Sequence, residues 1–146
     1  MRALVIDDNI VTLTLLKQLV SRMDGLCVTA FSDPAEAVRQ IGELDFDIAL
    51  VDYAMPHLNG VEVIRRIRAV ERHRSVPVVM ITADHEKETR LAAFDAGTTD
   101  FLTKPIEPME FKARVRNLLA LRKAEVTAAD LAKRLAEQIA VANRAA

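Results

Sequence analysis

Five short apolar runs, each followed by a stretch of helical periodicity, constrain the fold of this chain of 146 residues more than any other feature. The clearest run, residues 48–51, is wholly apolar, stops at Asp52 and leads into a turn that contains Pro56, Asn59 and Gly60. Short apolar runs rich in β-branched residues and bounded by breakers are typical of buried strands. The other four runs are residues 3–6, 26–31, 76–81 and 100–102.

The segments between these runs change to the spacing of amphipathic helices. Helices are predicted from residue 10 to about 24, 34 to about 43, 58 to about 72, 86–96 and 109 to about 143. In the third helix Ile64 and Ile67 are predicted to face inward and Arg68 outward. Strands that alternate with helices predict a parallel sheet covered on both faces. The expected fold is therefore α/β, a flavodoxin-like (βα)5 doubly wound sheet with strand order 2-1-3-4-5 and an extended C-terminal helix.

Composition narrows the class of protein without naming it. The net charge is -1, but residues 1–111 carry 12 Lys and Arg against 18 Asp and Glu, whereas residues 112–146 carry 8 against 3. This balance gives no case for direct nucleic-acid binding, and no apolar run is long enough to span a membrane. A single cysteine, Cys27, excludes an internal disulfide and is predicted to be buried. We expect a cytoplasmic protein, with His57, His73 and His85 as solvated loop residues.

The last helix is too long for one domain of this size. Its first part can pack on the sheet, whereas residues 121–139 carry small and apolar side chains at a spacing of three and four residues. Such a heptad-like stripe favours pairing with another helix, since an isolated exposed helix is marginal in water. We therefore expect a first domain at residues 1–120, a coiled-coil-like extension at residues 121–146, and a homodimer formed through that extension. A disordered linker is the alternative for these residues.

Polar residues follow four of the predicted strands at their carboxyl ends, where open α/β sheets bind ligands. A group of carboxylates there calls for a hard cation such as Mg²⁺, which takes oxygen ligands. A nearby lysine and hydroxyl suit phosphate oxygens, and a carboxylate can form an aspartyl-phosphate. The centrally placed Asp52 is the favoured acceptor. The residues concerned are Asp7 and Asp8 after the first strand, Asp52 after the third, Thr82 after the fourth and Lys104 after the fifth.

These motifs together resemble the receiver domain of two-component response regulators over residues 1–120. The matching segments are residues 5–8 (VIDD), 51–56 (VDYAMP) with Asn59 and Gly60, 81–83 (ITA), 96–101 (AGTTDF) and 103–105 (TKP). The family more often has Asp at position 59. Residues 111–122 also resemble the link between receivers and cyclic-di-GMP phosphodiesterase domains of the HD-GYP type.

The resemblance implies a role for each site residue. Asp52 would accept phosphate from a phosphohistidine on a sensor histidine kinase or phosphotransfer protein. Asp8, Asp52 and the backbone carbonyl of Ala54 would ligate Mg²⁺, with Asp7 acting mainly through water. Thr82 and Lys104 would contact the phosphoryl oxygens. The peptide bond between Lys104 and Pro105 would be cis, and Phe101 would be the switch aromatic, held inward by packing alone.

The implied activity is that of a phosphoacceptor switch and not of an enzyme, apart from self-catalysed phosphoryl transfer and slow autodephosphorylation. Movement of Thr82 would let Phe101 turn inward and would reshape the face made by the fourth helix, fifth strand and fifth helix. That face is expected to couple to parallel pairing of the C-terminal helix. A structural dimerisation module that is never phosphorylated is the alternative. A flavin-binding module is disfavoured, because Asp7 and Asp8 stand where such a module has a phosphate-binding loop. An aspartate-nucleophile phosphatase is disfavoured, because it would need a second acid two residues after the nucleophile, where this chain has Ala54.

Overall fold

A five-stranded parallel sheet forms the centre of the molecule in a computed structural model that describes residues 1–83 and 86–145. The strand order is β2-β1-β3-β4-β5, so the predicted fold class and topology are confirmed. Both ends of each strand lie within two residues of the predicted limits. The strands are β1 (Arg2–Ile6), β2 (Cys27–Phe31), β3 (Ile48–Asp52), β4 (Val78–Thr82) and β5 (Asp100–Thr103).

Helices follow every strand and begin at the polar residues that the sequence places there. The side chains of Asn9, Asp33 and Asn59 accept backbone N–H groups of the first turns of α1, α2 and α3. Gly97, with φ of +110°, ends α4 in the left-handed conformation that favours glycine. The helices are α1 (Ile10–Ser21), α2 (Pro34–Gln40), α3 (Gly60–Ala69), α4 (Lys87–Ala96) and α5 (Pro108–Ala145), with a short 3-10 turn at Glu71–His73.

Two apolar cores lie on opposite faces of the sheet. The alternation of β3 divides its side chains between them: Ala49 and Val51 face α2, α3 and α4, whereas Ile48 and Leu50 face α1 and α5. All five residues of β3 are buried. The central strand is therefore held rigidly on both sides, and so is the carboxylate at its end.

Arg68 was predicted to point outward, and this prediction is wrong. Its guanidinium donates to the carbonyl oxygen of Gly97 from Nε at 3.0 Å and Nη2 at 2.7 Å, and to that of Val76 from Nη1 at 2.6 Å. Nη1 also donates to the carbonyls of His73 and Arg74. Helical periodicity places Arg68 at the margin of the buried face, and the unpaired carbonyls at the end of α4 draw its side chain inward.

Two further predictions of exposure are corrected. His73 is only 1% exposed; its ring stacks on Phe46 at 4.2 Å between centroids, and Nε2 lies 2.9 Å from the carbonyl oxygen of Ile41. Burial lowers the pKa of His73. Cys27 is exposed, because it is the first residue of the edge strand β2. His57 is exposed as predicted, and His85 lies outside the described residues.

The helix α5 is continuous over 38 residues and has two distinct parts. Phe111, Val115 and Leu118 are buried against the sheet, whereas every described residue from 123 onward is exposed. Arg122 marks the change: its Nη1 donates to Ser75 Oγ at 3.1 Å and its Nε lies 3.7 Å from Asp47 Oδ1. Within the described part of the chain, no helix combines the length and apolarity that crossing a membrane requires.

Candidate functional site: an acidic cluster at the carboxyl ends of the strands

Three carboxylates meet at the carboxyl ends of the two central strands. Asp52 is the last residue of β3, and Asp7 and Asp8 follow the neighbouring β1. One carboxylate oxygen from each lies within 4.8 Å of the others. Asp7 is 0% and Asp52 2% exposed, so both charges are largely removed from water. The spacing and the oxygen donors are those of a site for a divalent cation.

Asp7 supplies the observation that tests this fit. Its Oδ1 accepts the backbone N–H of Asn9 at 2.9 Å, which orients the carboxylate. Its Oδ2 is buried without a hydrogen-bond donor, and Lys104 Nζ is 3.7 Å away. A buried carboxylate oxygen without a donor is costly in a folded protein. A hard cation would satisfy this oxygen, so the residues present fit a Mg²⁺ ion.

Lys104 provides a positive charge beside both Asp7 and Asp52. It follows β5, and the peptide bond between Lys104 and Pro105 is cis. Its Nζ lies 2.9 Å from Asp52 Oδ1. Burial alone would lower the pKa of Lys104, but the hydrogen bond to Asp52 and the nearby Asp7 outweigh burial and raise it. Lys104 is therefore held charged beside the acceptor carboxylate.

The protonation of Asp52 reflects the same opposition of effects. Burial, the largest effect, and the charge of Asp7 raise the pKa of Asp52 to about 6, while the hydrogen bond from Lys104 acts in the opposite direction. A cation bound among the three acids would favour the ionised form of this carboxyl group. The fold therefore buries the Asp52 carboxylate beside other acids, an arrangement that a bound cation would stabilise.

The backbone around Asp52 is fixed by close packing that sequence reasoning did not anticipate. Tyr53 N donates to Ile81 O, and Gly60 N donates to Tyr53 O, each at 2.9 Å. A Cβ atom on Gly60 would stand 2.6 Å from the carbonyl oxygen of Asp52. Gly60 therefore allows the first turn of α3 to press against the acceptor. The pairing of Asn59 with Gly60 indicated a turn but not this close approach.

The remaining predicted site residues lie around this centre. Thr82 ends β4, is 3% exposed, and neighbours Asp52 across the sheet, since Asp52 pairs with Ile81. Ala54 lies in the exposed loop two residues beyond Asp52, and the ligation by its carbonyl stays a prediction.

Phe101 lies inside the molecule, 8% exposed, in the core on the α4 side. The ring of Phe94 meets it edge-on at 4.9 Å between centroids, and the guanidinium carbon of Arg90 is 5.2 Å from its centre. Packing on Phe94 is thus joined by a cation–π contact with Arg90, a feature missing from the prediction of packing alone. No periodic signal singles out Arg90, because its role depends on the position of β5.

The family model for the response regulator receiver domain matches residues 3–116. This chain belongs to that family. The match covers the sheet, the acidic cluster, Thr82 and Lys104. In this family the domain serves phosphorylation-dependent signalling as a phosphoacceptor switch and binds Mg²⁺ at an acidic pocket.

Curated relatives are similar over the same region. The cyclic di-GMP phosphodiesterase response regulator RpfG of Xanthomonas campestris is 39% identical over 119 residues, which are 81% of this chain and 32% of the relative. The transcriptional regulatory protein ResD of Bacillus subtilis is 34% identical over 118 residues, 81% of this chain and 48% of the relative. The chain spans about a third to a half of the length of these two relatives.

One similar solved structure contains a metal ion in its active-site cleft. The receiver domain of the sensor histidine kinase PA1611 from Pseudomonas aeruginosa is 30% identical, with a TM-score of 0.74 over 82% of this chain and 97% of that one. It was crystallised with a magnesium ion coordinated in its active-site cleft. The receiver family and the α/β fold are thus shown by both sequence and structure.

Proposed function

We propose that this chain is a cytoplasmic phosphorylation switch whose Asp52 accepts a phosphoryl group from a phosphohistidine on a sensor histidine kinase or phosphotransfer protein. The observation that carries the proposal is the position of Asp52 between the Asp7 and Asp8 carboxylates and Lys104 Nζ, 2.9 Å from its Oδ1. Phosphoryl transfer needs positioning and charge neutralisation more than covalent help from the protein. This end of the sheet offers both.

The transfer step is a displacement at phosphorus. A carboxylate oxygen of Asp52 attacks, the new O–P bond forms, and the P–N bond to the histidine breaks. The electron pair of the broken bond returns to the imidazole nitrogen, and the ring leaves neutral when its other nitrogen is protonated. Mg²⁺ held by Asp7, Asp8, Asp52 and the carbonyl of Ala54 would neutralise charge on the phosphoryl oxygens.

The protein's own groups do the rest. Lys104 pairs with the Asp52 carboxylate before transfer. Once esterification has removed the charge of that carboxylate, Lys104 pairs instead with a negatively charged phosphoryl oxygen. The Thr82 hydroxyl, one strand away, donates to another of these oxygens. Hydrolysis of the product by the same residues resets the switch slowly, so the chain acts as a phosphoacceptor and not as a dedicated enzyme.

An apolar patch beside the site supports docking of the phosphoryl donor. Ile10 and Val11, in the first turn of α1, are 63% and 79% exposed and follow Asp8 closely in the chain. Exposed apolar side chains next to a reactive group are typical of protein interaction sites. A helical phosphohistidine partner could cover them while its imidazole reaches Asp52.

The acceptor assignment is tested with acetyl phosphate and Mg²⁺, followed by intact-mass measurement. The wild-type chain should gain one alkali-labile phosphoryl group, and Asp52→Asn should gain none. Asp130→Asn, which changes an exposed carboxylate of the tail, is the matched control and should behave as wild type. Phosphorylation of Asp52→Asn at the wild-type level, or none of the wild type, would contradict the proposal.

Residues 121–146 act as a separate helical extension in this proposal, and pair with the same segment of a second copy. Large apolar side chains support this, because they follow one another along α5 and are open to solvent: Leu121, Leu131, Leu135 and Ile139 are 51–61% exposed. The face made by α4, β5 and α5 is continuous with this extension, because the extension is the second part of α5. Phosphorylation would act on that face through Thr82, with Phe101 already inside.

Light scattering tests the pairing. Leu131→Glu places a charge in the stripe and should convert a dimer into a monomer. Val126→Glu, on another side of the helix at 45% exposure, is the matched control and should leave the dimer intact. A monomeric wild type, or equal effects of both variants, would remove the pairing from the proposal.

A constitutive dimerisation module is the second candidate, favoured by the exposed stripe alone. Beryllofluoride with Mg²⁺ separates the two, because a switch should change its dimer affinity on binding this phosphoryl analogue and a constitutive module should not. In the Xanthomonas relative the phosphodiesterase belongs to a different domain from the matched receiver. An output domain of that type attached to α5 is the form of signalling we propose for the full regulator.

A further inference from the structure

A second surface of the molecule carries charge that the phosphoryl site does not use. A groove of about 630 Å³ lies between the end of α1, the loop before β2 and α5. Its lining includes four cationic side chains and a single carboxylate, Asp24. None of the lining residues belongs to the acidic cluster around Asp52. The cations are Arg22, Lys112, Arg116 and Lys123, and all four are exposed.

Three other cations of α5, Arg114, Arg122 and Arg134, have a carboxylate within ion-pair distance, whereas the four groove cations do not. Arg114 pairs with Asp100 at 2.8 Å and with Glu110 at 3.0 Å. Arg122 lies 3.7 Å from Asp47. In contrast, no carboxylate of the described residues comes within ion-pair distance of the four groove cations. Like charges gathered without counter-charges repel one another, and they raise the local concentration of an anionic partner.

The floor of the groove is apolar and continues along the helix. Met23, Leu26 and Leu119 line it between the cations. A smaller cavity of about 200 Å³ shares Arg22, Met23 and Lys112 and extends the groove to Met109, which is 79% exposed. From Met109 to Lys123 the helix rises about 21 Å. An elongated apolar floor with flexible methionines and a charged rim suits an amphipathic helix laid in the groove.

We infer that this groove docks an acidic amphipathic helix of a partner protein, with its apolar side chains on Met23 and Leu119 and its carboxylates on the four cations. The alternative occupant of such a site is a phosphorylated small molecule. The groove shape favours the helix, and no aromatic side chain lines the larger cavity to stack a nucleobase. None of the residues around Asp52 lines the groove, so its cations and apolar floor are available in the unphosphorylated chain.

A designed peptide tests the inference on the full chain. The probe is a fluorescent 14-residue helix with leucines at a spacing of three and four and glutamates beside them, and the control peptide carries lysines instead. Fluorescence anisotropy should show saturable binding of the glutamate peptide only, weakening as salt is added. Arg116→Glu should weaken this binding about tenfold or more. Arg65→Glu, an equal charge reversal on the exposed face of α3, should not change it.

The controls separate other outcomes. Circular dichroism checks that Arg116→Glu is folded, and Lys112→Glu repeats the test at a second rim position. Equal binding of both peptides, or equal loss in the Arg65 variant, would overturn the inference. Tripolyphosphate that binds in an Arg116-dependent way while the glutamate peptide does not would assign the groove to a phosphorylated ligand, and would equally overturn it. Asp52→Asn should bind the glutamate peptide like wild type.

Discussion

Two charged regions of this molecule differ in their hydrogen bonding: the half-buried Arg68 and the buried pair Asp7 and Asp52. The Arg68 guanidinium is surrounded by backbone carbonyl oxygens from the end of α4 and the segment before β4, and its nitrogens donate to them at 2.6–3.1 Å. Around Asp52, in contrast, three carboxylates crowd together, and Asp7 Oδ2 is buried without a donor. The satisfied charge holds the fold together. The carboxylate oxygen without a donor marks a position that a cation would satisfy.

Removing the satisfied charge should have the largest effect on folding. Arg68→Met leaves several buried carbonyls without donors, and we expect the free energy of unfolding to fall by about 3 kcal/mol. Arg65→Met, on the exposed face of the same helix, should change it by less than about 0.5 kcal/mol. Urea denaturation of the two variants gives the comparison. Equal stability of both would show that the carbonyls around Arg68 find water instead.

Crowding the acceptor backbone should have the next largest effect. Gly60→Ala puts a Cβ 2.6 Å from the carbonyl oxygen of Asp52. This contact is too short, so the backbone of α3 or of Asp52 must move. We expect a loss of about 2 kcal/mol in stability and slower phosphorylation by acetyl phosphate. Gly42→Ala, where a Cβ meets nothing within 4 Å, should be neutral in both measurements. Normal phosphorylation of a destabilised Gly60→Ala would separate the packing from the chemistry.

Removing the charge of Asp7, whose buried Oδ2 has no hydrogen-bond donor and only a long contact of 3.7 Å to Lys104, should stabilise the fold. Asp7→Asn keeps an oxygen for the N–H of Asn9 and relieves repulsion with Asp52, so stability without Mg²⁺ should rise by about 1 kcal/mol. The same variant should gain less than wild type from added Mg²⁺. Thermal melts with EDTA and with Mg²⁺ measure both effects. If Asp7→Asn were less stable than wild type in EDTA, the charge of Asp7 would stabilise the fold as that of Arg68 does, and the expectation would be wrong.

The smallest expected effect is on the pH dependence of stability and concerns His73, a neutral side chain that is hydrogen-bonded to Ile41 O. Burial lowers its pKa, so below a pH of about 6.5 the unfolded chain binds a proton that the folded chain does not. Stability should therefore decrease as pH falls through that range. Asp52, with its raised pKa, acts with the opposite sign. The measurement is urea denaturation at pH 7.5 and 5.5 in the Asp52→Asn background, where adding His73→Gln should flatten the pH dependence.

The sequence was sufficient for the sheet order and for the residues around the site, because both depend on where apolar runs stop. Asp7, Asp52, Thr82 and Lys104 each follow a run, and parallel strands bring such positions to one edge. Distances and protonation could not be read in this way. The closeness of Gly60 to the acceptor depends on how α3 packs, which no local pattern contains.

The errors share one physical cause. Arg68, His73 and Cys27 were assigned by residue type and periodicity, whereas their burial is set by segments distant in the chain. His73 is covered by Phe46 and Ile41, and Arg68 is held by Gly97, 29 residues away. Cys27 is exposed because β2 is an edge strand. Contacts between segments distant in the chain thus override the preferences that residue type and helical spacing express locally.

The continuity of α5 turns the molecule into a lever. Ala145 lies 23 residues beyond Arg122, the last described α5 residue that pairs with a side chain in the rest of the domain, and the helix rises about 35 Å over this distance. From this rise, a tilt of about 5° at the Arg122 contacts would displace the far end of the helix by about 3 Å. A small electrostatic change at the sheet edge could therefore be delivered as a much larger mechanical displacement.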